Sequence, residues 1–268
     1  MPEIPDLEAI RGFLNQHLPG VRVERAEFLI PVVFRVARDE FVRTLEGNVF
    51  GETERRGKFL IFSLESGHRL VINAMLTGRF QYLRLKEKRR ARTCLVLGLA
   101  NGWELRYADE RLMGKVYLVP ADQLSQVPQF SEMGPDALEV SREEFAQRIR
   151  SFRGQVKNVL VNHRFVAGVG NAYADEILFA ARLHPYRKRT TLSDDDIERL
   201  HQAMGKVFAW ATPMVAEQMR EELNYEERRD FLKIHRKGGE PCPVCGTRIS
   251  EITAGQRITN FCRNCQPG

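Results

Sequence analysis

The chain has 268 residues, 43% hydrophobic and 28% charged, enough for a sizeable core in one large or two modest domains. Lys and Arg outnumber Asp and Glu by 41 to 35, and the net charge of +6 favours a polyanionic partner. No apolar run reaches the length of a membrane span, and Met1-Pro2-Glu3-Ile4-Pro5-Asp6 lacks the basic start and apolar core of a signal peptide, so membrane, secreted and disordered classes are set aside and a reducing cytosol is expected.

Leu7, Ile10, Leu14 and Leu18 recur at helical spacing, Pro5 suits a first turn, and Pro19-Gly20 stops the helix. From about Val21 to Val119 the pattern is of strands. Phe59 to Phe62, Leu70 to Ile72, Phe80 to Leu83 and Cys94 to Leu97 are short strand-type runs, and Asn101-Gly102 reads as a hairpin turn. Such a series suggests a β-sandwich or barrel. Residues from about Pro120 to Leu138 read as a linker. Helices follow. Ser141 with Glu144 forms a capping box, a second helix runs roughly from Gln155 to His163, and a third follows Asn171 and ends near His184-Pro185. Ser193 and Asp196 cap a fourth helix, with Ile197, Leu200, Met204, Val207 and Phe208 on one face. Glu217 to Lys237 is densely charged and reads as a mobile or DNA-facing segment.

Four of the five cysteines form Cys242-x2-Cys245 and, sixteen residues on, Cys262-x2-Cys265. Two such pairs make two knuckles, and four thiolates complete a tetrahedral zinc site. A closed four-thiolate set has no open position, so this zinc is structural. Cys94 reads as a small buried hydrophobe.

Gly168-Val169-Gly170-Asn171 places two flexible glycines ahead of a helix with Asn as N-cap, where exposed N–H groups favour an anion. An ordinary interhelical turn fits the same residues, and Lys157 and Arg164 nearby tilt the balance modestly toward phosphate. The basic run Arg84 to Arg92, with Lys86, Lys88, Arg89 and Arg90, reads first as a solvated loop. At the N-terminus, the penultimate proline permits removal of Met1. The freed Pro2 amine is a secondary amine, and an α-amino group titrates near pH ~8, so part of it is unprotonated at neutrality. Such an amine attacks a sugar C1′ to give an iminium, with Glu3 adjacent to shuttle protons. From these residues alone an ordinary chain start is the favoured reading.

These pieces together resemble one family. Met1-Pro2-Glu3-Ile4-Pro5-Asp6-Leu7-Glu8 is similar to the start of the formamidopyrimidine-DNA glycosylase and endonuclease VIII family. Lys157 to Leu160 and Val166 to Glu176 resemble its helix–two-turn–helix motif, which continues to His184-Pro185. The cysteine module with Arg257, Thr259, Phe261 and Gln266 resembles its zinc finger, and Arg56-Gly57-Lys58-Phe59-Leu60 the loop of its phosphate-contacting lysine. The resemblance implies an α+β multidomain fold: an N-terminal β-sandwich with flanking helices, a C-terminal helix–two-turn–helix domain and a four-cysteine zinc finger. The corresponding divisions are 1–130, 131–225 and 226–268. It implies a bifunctional DNA glycosylase and AP lyase of base-excision repair, with DNA in the cleft between domains. Pro2 is then the nucleophile, Glu3 the proton donor and acceptor, and Lys58 the phosphate contact beside the lesion. Lys157, Asn171 and Arg257 form the grip on the DNA backbone. One zinc ion, a damaged double-stranded DNA partner, a monomeric state and a cytoplasmic or nucleoid setting complete the expectation.

Departures from the family pattern are specific. Asp6 stands where the family usually has Glu. The His-Leu-Gly-Met-Thr-Gly segment reads Asn73-Ala74-Met75-Leu76-Thr77-Gly78, making Leu76 the residue that fills the gap left by a flipped base. The Asp-Pro-Arg-Arg-Phe-Gly loop reads Asp109-Glu110-Arg111-Leu112-Met113-Gly114, leaving Arg111 to face the orphaned base and Met113 as an apolar wedge. Thr212 to Phe231 lacks the Gly-Gly-Thr-Thr-like loop that caps 8-oxoguanine, and Leu232 to Gly239 departs from the Val-Tyr-Gly-Arg pattern. A different preferred lesion is therefore expected. The rival readings are a non-catalytic or lyase-only damage-binding protein on the same fold, and a zinc-ribbon scaffold without lesion preference.

Overall fold

A computed structural model describes residues 1–219, 222–224, 226–254 and 257–268. The chain divides into two compact units. The first is Met1–Ser131 with Thr212–Arg228, and the second Glu132–Ala211 with Arg229–Gly268.

The first unit is a β-sandwich. One sheet has four antiparallel strands in the order β2 (Phe50–Arg56), β3 (Phe59–Leu64), β4 (His68–Asn73) and β8 (Lys115–Pro120). The other has the order β1 (Val23–Phe28), β6 (Thr93–Leu99), β7 (Trp103–Asp109), β5 (Gly78–Arg84) and β9 (Leu223–Asn224). Phe62 of β3 meets Phe80 of β5 across the sandwich, ring centroids 6.5 Å apart. The Asn101-Gly102 turn joins β6 to β7 as expected, with Gly102 at φ +81. Cys94 lies buried in β6, where removal from water pushes its thiol up to about 11, as suits an unreactive core residue.

Helix α1 (Ile4–His17) buries Ile4, Leu7, Ile10 and Leu14. Its Asn15 amide donates to Thr53 O at 2.9 Å and its carbonyl accepts the Thr53 N–H at 2.7 Å, at the register shift in β2. A second helix, α2 (Arg38–Leu45), lies where strands were expected. Only Phe41 and Leu45 of it are buried, one turn apart, and eight residues are too few for a periodic signal. Phe41 packs edge-on against Phe34 and Phe28, which fixes α2 against β1. The charged segment that follows Glu217 is not loose throughout: β9 pairs with β5, and Gln81 and Arg90 both donate to Asn224 Oδ1 at 2.9 Å. Within that segment residues 220, 221 and 225 lie outside the described residues.

The second unit contains α3 (Arg142–Ser151), α4 (Val156–Leu160), α5 (Asn171–Ala180) and most of α6 (Asp194–Glu217), with a hairpin of β10 (Ser250–Ala254) and β11 (Arg257–Phe261). Ser141 Oγ caps α3 by accepting the Glu144 N–H. A reciprocal box starts α6, with Ser193 N–H onto Asp196 and Asp196 N–H onto Ser193 Oγ. Helix α4 is shorter than the expected Gln155 to His163, because the Asn162 side chain accepts the Arg164 N–H and turns the chain. Gly170, not Asn171, is the N-cap of α5. It holds the extended backbone, so Asn171 becomes the first helical residue. Among the described residues no helix is long and apolar enough to cross a membrane.

Candidate active site and nucleic-acid interface

Strand register gathers one set of features at one end of the sandwich. Arg56 faces Phe59, Phe59 faces Asn73, and Asn73 faces Lys115, so the Gly57-Lys58 turn and the ends of β4 and β8 lie side by side. Gly78 faces Asp109 in the other sheet. The segments 73–78 and 109–115 are thus crossings between the sheets. They are tied together: Thr77 Oγ1 donates to Asp109 Oδ1, Arg111 N–H to Thr77 Oγ1 at 3.0 Å, and Gly114 N–H to Asp109 Oδ2 at 2.6 Å. A side chain at Gly78 would meet Ala74 O at 2.4 Å, and one at Gly114 would meet Tyr107 Oη at 1.9 Å, so both glycines are required by close approach. Leu76 and Met113 stand out from these crossings, 39% and 40% exposed, and Arg111 is exposed as well. Met75 and Leu112, their neighbours, hold φ of 47 and 54. Left-handed backbone at non-glycine residues costs about 1 kcal/mol each and is characteristic of functional loops.

The start of α1 belongs to the same unit. Glu3, only 2% exposed, is its N-cap, and Asp6 at N3 accepts the Glu3 N–H at 2.7 Å in a capping box. The shorter Asp6 therefore reaches its cap position. Pro2 is buried, and the Met1 amine is held by Glu227 Oε2 at 2.6 Å. Glu8, one turn further along α1, takes Arg55 Nε at 2.5 Å, and Arg55 Nη1 donates to Gly57 O at 3.0 Å. This strut links α1 to the turn that carries Lys58. Burial draws the Glu8 carboxyl upward, but hydrogen bonds from Arg11 and Arg55 outweigh it and hold it below its ordinary value. Glu8→Ala removes the carboxylate paired with the Arg55 side chain, 3% exposed, and is expected to destabilise the protein by about 3 kcal/mol in denaturant unfolding at neutral pH. Because the folded-state value is lowered, the stabilisation is present above the ordinary carboxylate range and fades as pH falls through the folded value.

In the second unit a hollow of about 320 Å³ is lined by Gln155, Lys157, Asn171, Tyr186, Arg257 and Thr259. Gly168, at φ +105, leads into the start of α5. Arg257 is exposed. Asn171 lends its amide to Ile258 O at 2.8 Å. Lys157 differs from the other two: it is buried, its ammonium 2.6 Å from Asp175 Oδ1, and it donates to Ile258 O and Thr259 Oγ1. Arg164 pairs with Glu132. The basic run between β5 and β6 is also internally engaged, Arg89 with Glu27 and Arg90 with Glu226, while the buried Arg106 holds the Glu87 and Lys88 carbonyls.

The four cysteine sulfurs lie within 4.8 Å of one another. Cys242 Sγ is 3.8 Å from Cys265 Sγ, and Cys245 Sγ 3.5 Å from Cys262 Sγ. Four sulfurs at the usual Zn–S distance of a tetrahedral site stand about 3.8 Å apart, so the cluster fits a structural zinc ion. Gln266 braces it, accepting the Cys262 N–H and donating to Leu183 O.

Glu8, Arg55, Thr77, Asp109, Asp175 and Glu227 are the residues that sequence reasoning did not single out. Each acts through a partner distant in sequence. Glu8, Thr77, Asp109 and Asp175 lie within quoted motifs without a role assigned to them, and Arg55 and Glu227 lie outside all of them.

Residues 1–116 match the family model for the formamidopyrimidine-DNA glycosylase N-terminal domain, 133–222 that for its H2TH domain, and 239–268 that for the zinc finger found in FPG and IleRS. A formamidopyrimidine-DNA glycosylase of Pelotomaculum thermopropionicum is 33% identical, covering 99% of each chain. One of Symbiobacterium thermophilum is 36% identical over 100% of this chain and 90% of its own. Among solved structures, the Lactococcus lactis enzyme in complex with DNA containing an abasic site has a TM-score of 0.91 at 27% identity, covering 100% of both chains. The same enzyme with Fapy-dG-containing DNA gives 0.88 at 26%, covering 99% of this chain and 100% of the other.

Proposed function

We propose that this chain, which belongs to the formamidopyrimidine-DNA glycosylase family, acts on damaged double-stranded DNA through a covalent intermediate at its own N-terminus. It is a DNA glycosylase with AP lyase activity in base-excision repair, with one structural zinc ion. Full-length similarity to enzymes so named disfavours the non-catalytic reading.

After Met1 is removed, the Pro2 nitrogen attacks C1′ of the flipped-out nucleotide as the bond from C1′ to the base breaks, and the proton shed by the amine leaves on the base. Glu3 supplies the proton that opens the sugar ring, giving an iminium between Pro2 and C1′. The iminium acidifies C2′, which loses a proton as the 3′ C–O bond breaks, and water then releases the amine. The observation that supports this most directly is the buried Glu3 carboxylate at the head of α1, next to Pro2. Lys58, on the strutted turn, contacts phosphate beside the lesion. Leu76 and Met113 enter the duplex, and Arg111 faces the orphaned base. Asn171 and Arg257 grip phosphates. The catalytic sandwich, the helical domain and the finger divide the work, with Thr212–Arg228 belonging to the sandwich unit and not to the 131–225 and 226–268 divisions, in a monomer of the cytoplasm or nucleoid.

Arg257→Ala is expected to weaken duplex binding across sequences and lower the slope of log affinity against log salt by roughly one. Anisotropy titrations over a salt series measure both, and an unchanged slope in a folded variant removes Arg257 from the grip. The lesion is tested by single-turnover rates on a matched panel. Because the cap-loop pattern is missing and Leu76 replaces methionine, ring-opened purines and abasic sites are expected to outrun 8-oxoguanine opposite cytosine. A clear lead for 8-oxoguanine contradicts that specificity.

A further inference from the structure

We infer that Asp175 and Lys157 are a positioning pair: without touching DNA, they fix strand β11 so that Arg257 stands at the hollow shared with the start of α5. This rests on the proposed phosphate role of Arg257. Three consecutive residues of β11, directly after Arg257, are held from α4 and α5. Ile258 O accepts from Lys157 Nζ at 3.1 Å and Asn171 Nδ2 at 2.8 Å. Thr259 Oγ1 accepts from Lys157 Nζ at 2.9 Å, and the Asn260 N–H donates to Asp175 Oδ2 at 3.2 Å. Asp175 Oδ1 lies 2.6 Å from Lys157 Nζ, and its Oδ2 lies 2.8 Å from His235 Nδ1.

Two of the ammonium's three N–H donors go to β11, and the Asp175 carboxylate lies against the same nitrogen as its counter-charge. Lys157 therefore serves the strand. Its side chain is 7% exposed and that of Asp175 fully buried. A desolvated ammonium keeps its place only while a carboxylate balances it. The zinc site secures the far end of β11, where Cys262 follows Phe261. At the Arg257 end β11 pairs only with β10, four of whose five residues are exposed, and a lone two-stranded hairpin is marginal in water. The Asp175–Lys157 pair supplies the missing anchor.

A double-mutant cycle on the zinc-loaded protein tests this. Affinity for a duplex bearing an uncleavable abasic analogue is measured for the parent, Asp175→Asn, Arg257→Ala and the double variant, with zinc content determined on each. Asp175→Asn keeps the shape and an acceptor but loses the charge. The expected result is a roughly tenfold loss for each single change and no further loss in the double variant, with one zinc retained throughout. Lys157→Met is expected to match Asp175→Asn and to be equally silent on the Arg257→Ala background. Losses that multiply overturn the inference, because Asp175 then acts independently of Arg257 or by general unfolding. An unchanged affinity for Asp175→Asn also overturns it. If Arg257→Ala alone binds normally, the proposed role of Arg257 fails, and the inference falls with it.

Discussion

Enzyme that retains Met1 is expected to lose both trapping on abasic DNA and strand cleavage, by roughly a thousandfold or more against processed enzyme. A proline nitrogen inside a peptide bond has its lone pair delocalised into the carbonyl and cannot attack carbon. Here the Met1 amine is also drawn onto Glu227, which places an extra residue beside the buried Glu3. The comparison uses two preparations of one sequence, processed and unprocessed, assayed with borohydride on a pre-formed abasic site. Pro2→Gly leaves a primary amine and is expected to keep partial lyase activity, whereas acetylation of the N-terminus removes it. Glu3→Gln is expected to impair base excision more than reaction at the abasic site, whose sugar is already in part the open-chain aldehyde and needs no proton to open its ring. Equal activity in processed and unprocessed enzyme would falsify the role of Pro2.

Removal of zinc is expected to cost about a hundredfold in duplex affinity while leaving the sandwich folded. Residues 239–268 contribute only Cys242, Ile249 and Cys262 to a small apolar core completed by Ile234 and by Phe179 of α5, and two of these five are metal ligands. Such modules derive most of their folding energy from the metal. Without it, β11 loses the anchor beyond Phe261, and Arg257 is no longer held at the hollow. Chelation followed by anisotropy measures the loss, and added zinc is expected to restore binding. Metal-free protein that binds with full affinity contradicts a structural role for the four cysteines.

The sequence made the local features legible. Two CxxC pairs specify a metal site through spacing alone, the reciprocal box at Ser193 and Asp196 marks the start of α6, and Asn101-Gly102 marks a hairpin. What it hid depends on pairs far apart in the chain. The contact between Met1 and Glu227 spans almost the whole chain, and a densely charged segment gives no hint that Leu223 and Asn224 will extend a sheet. Lys157 reads as part of the grip on DNA through the family resemblance, its place ahead of the glycine turn adding only modestly. Its burial depends on Asp175 and on β11, about a hundred residues later. Asn171 looked like an N-cap, and the backbone of Gly170 takes that position instead.

The central claim is that the bond to the sugar is made by the N-terminal amine. Borohydride reduction of processed enzyme on abasic DNA, digestion, and mass mapping of the adduct test it most directly. The account predicts a sugar remnant on the peptide that begins with Pro2. An adduct on a lysine such as Lys58, with an unmodified N-terminal peptide, would contradict it.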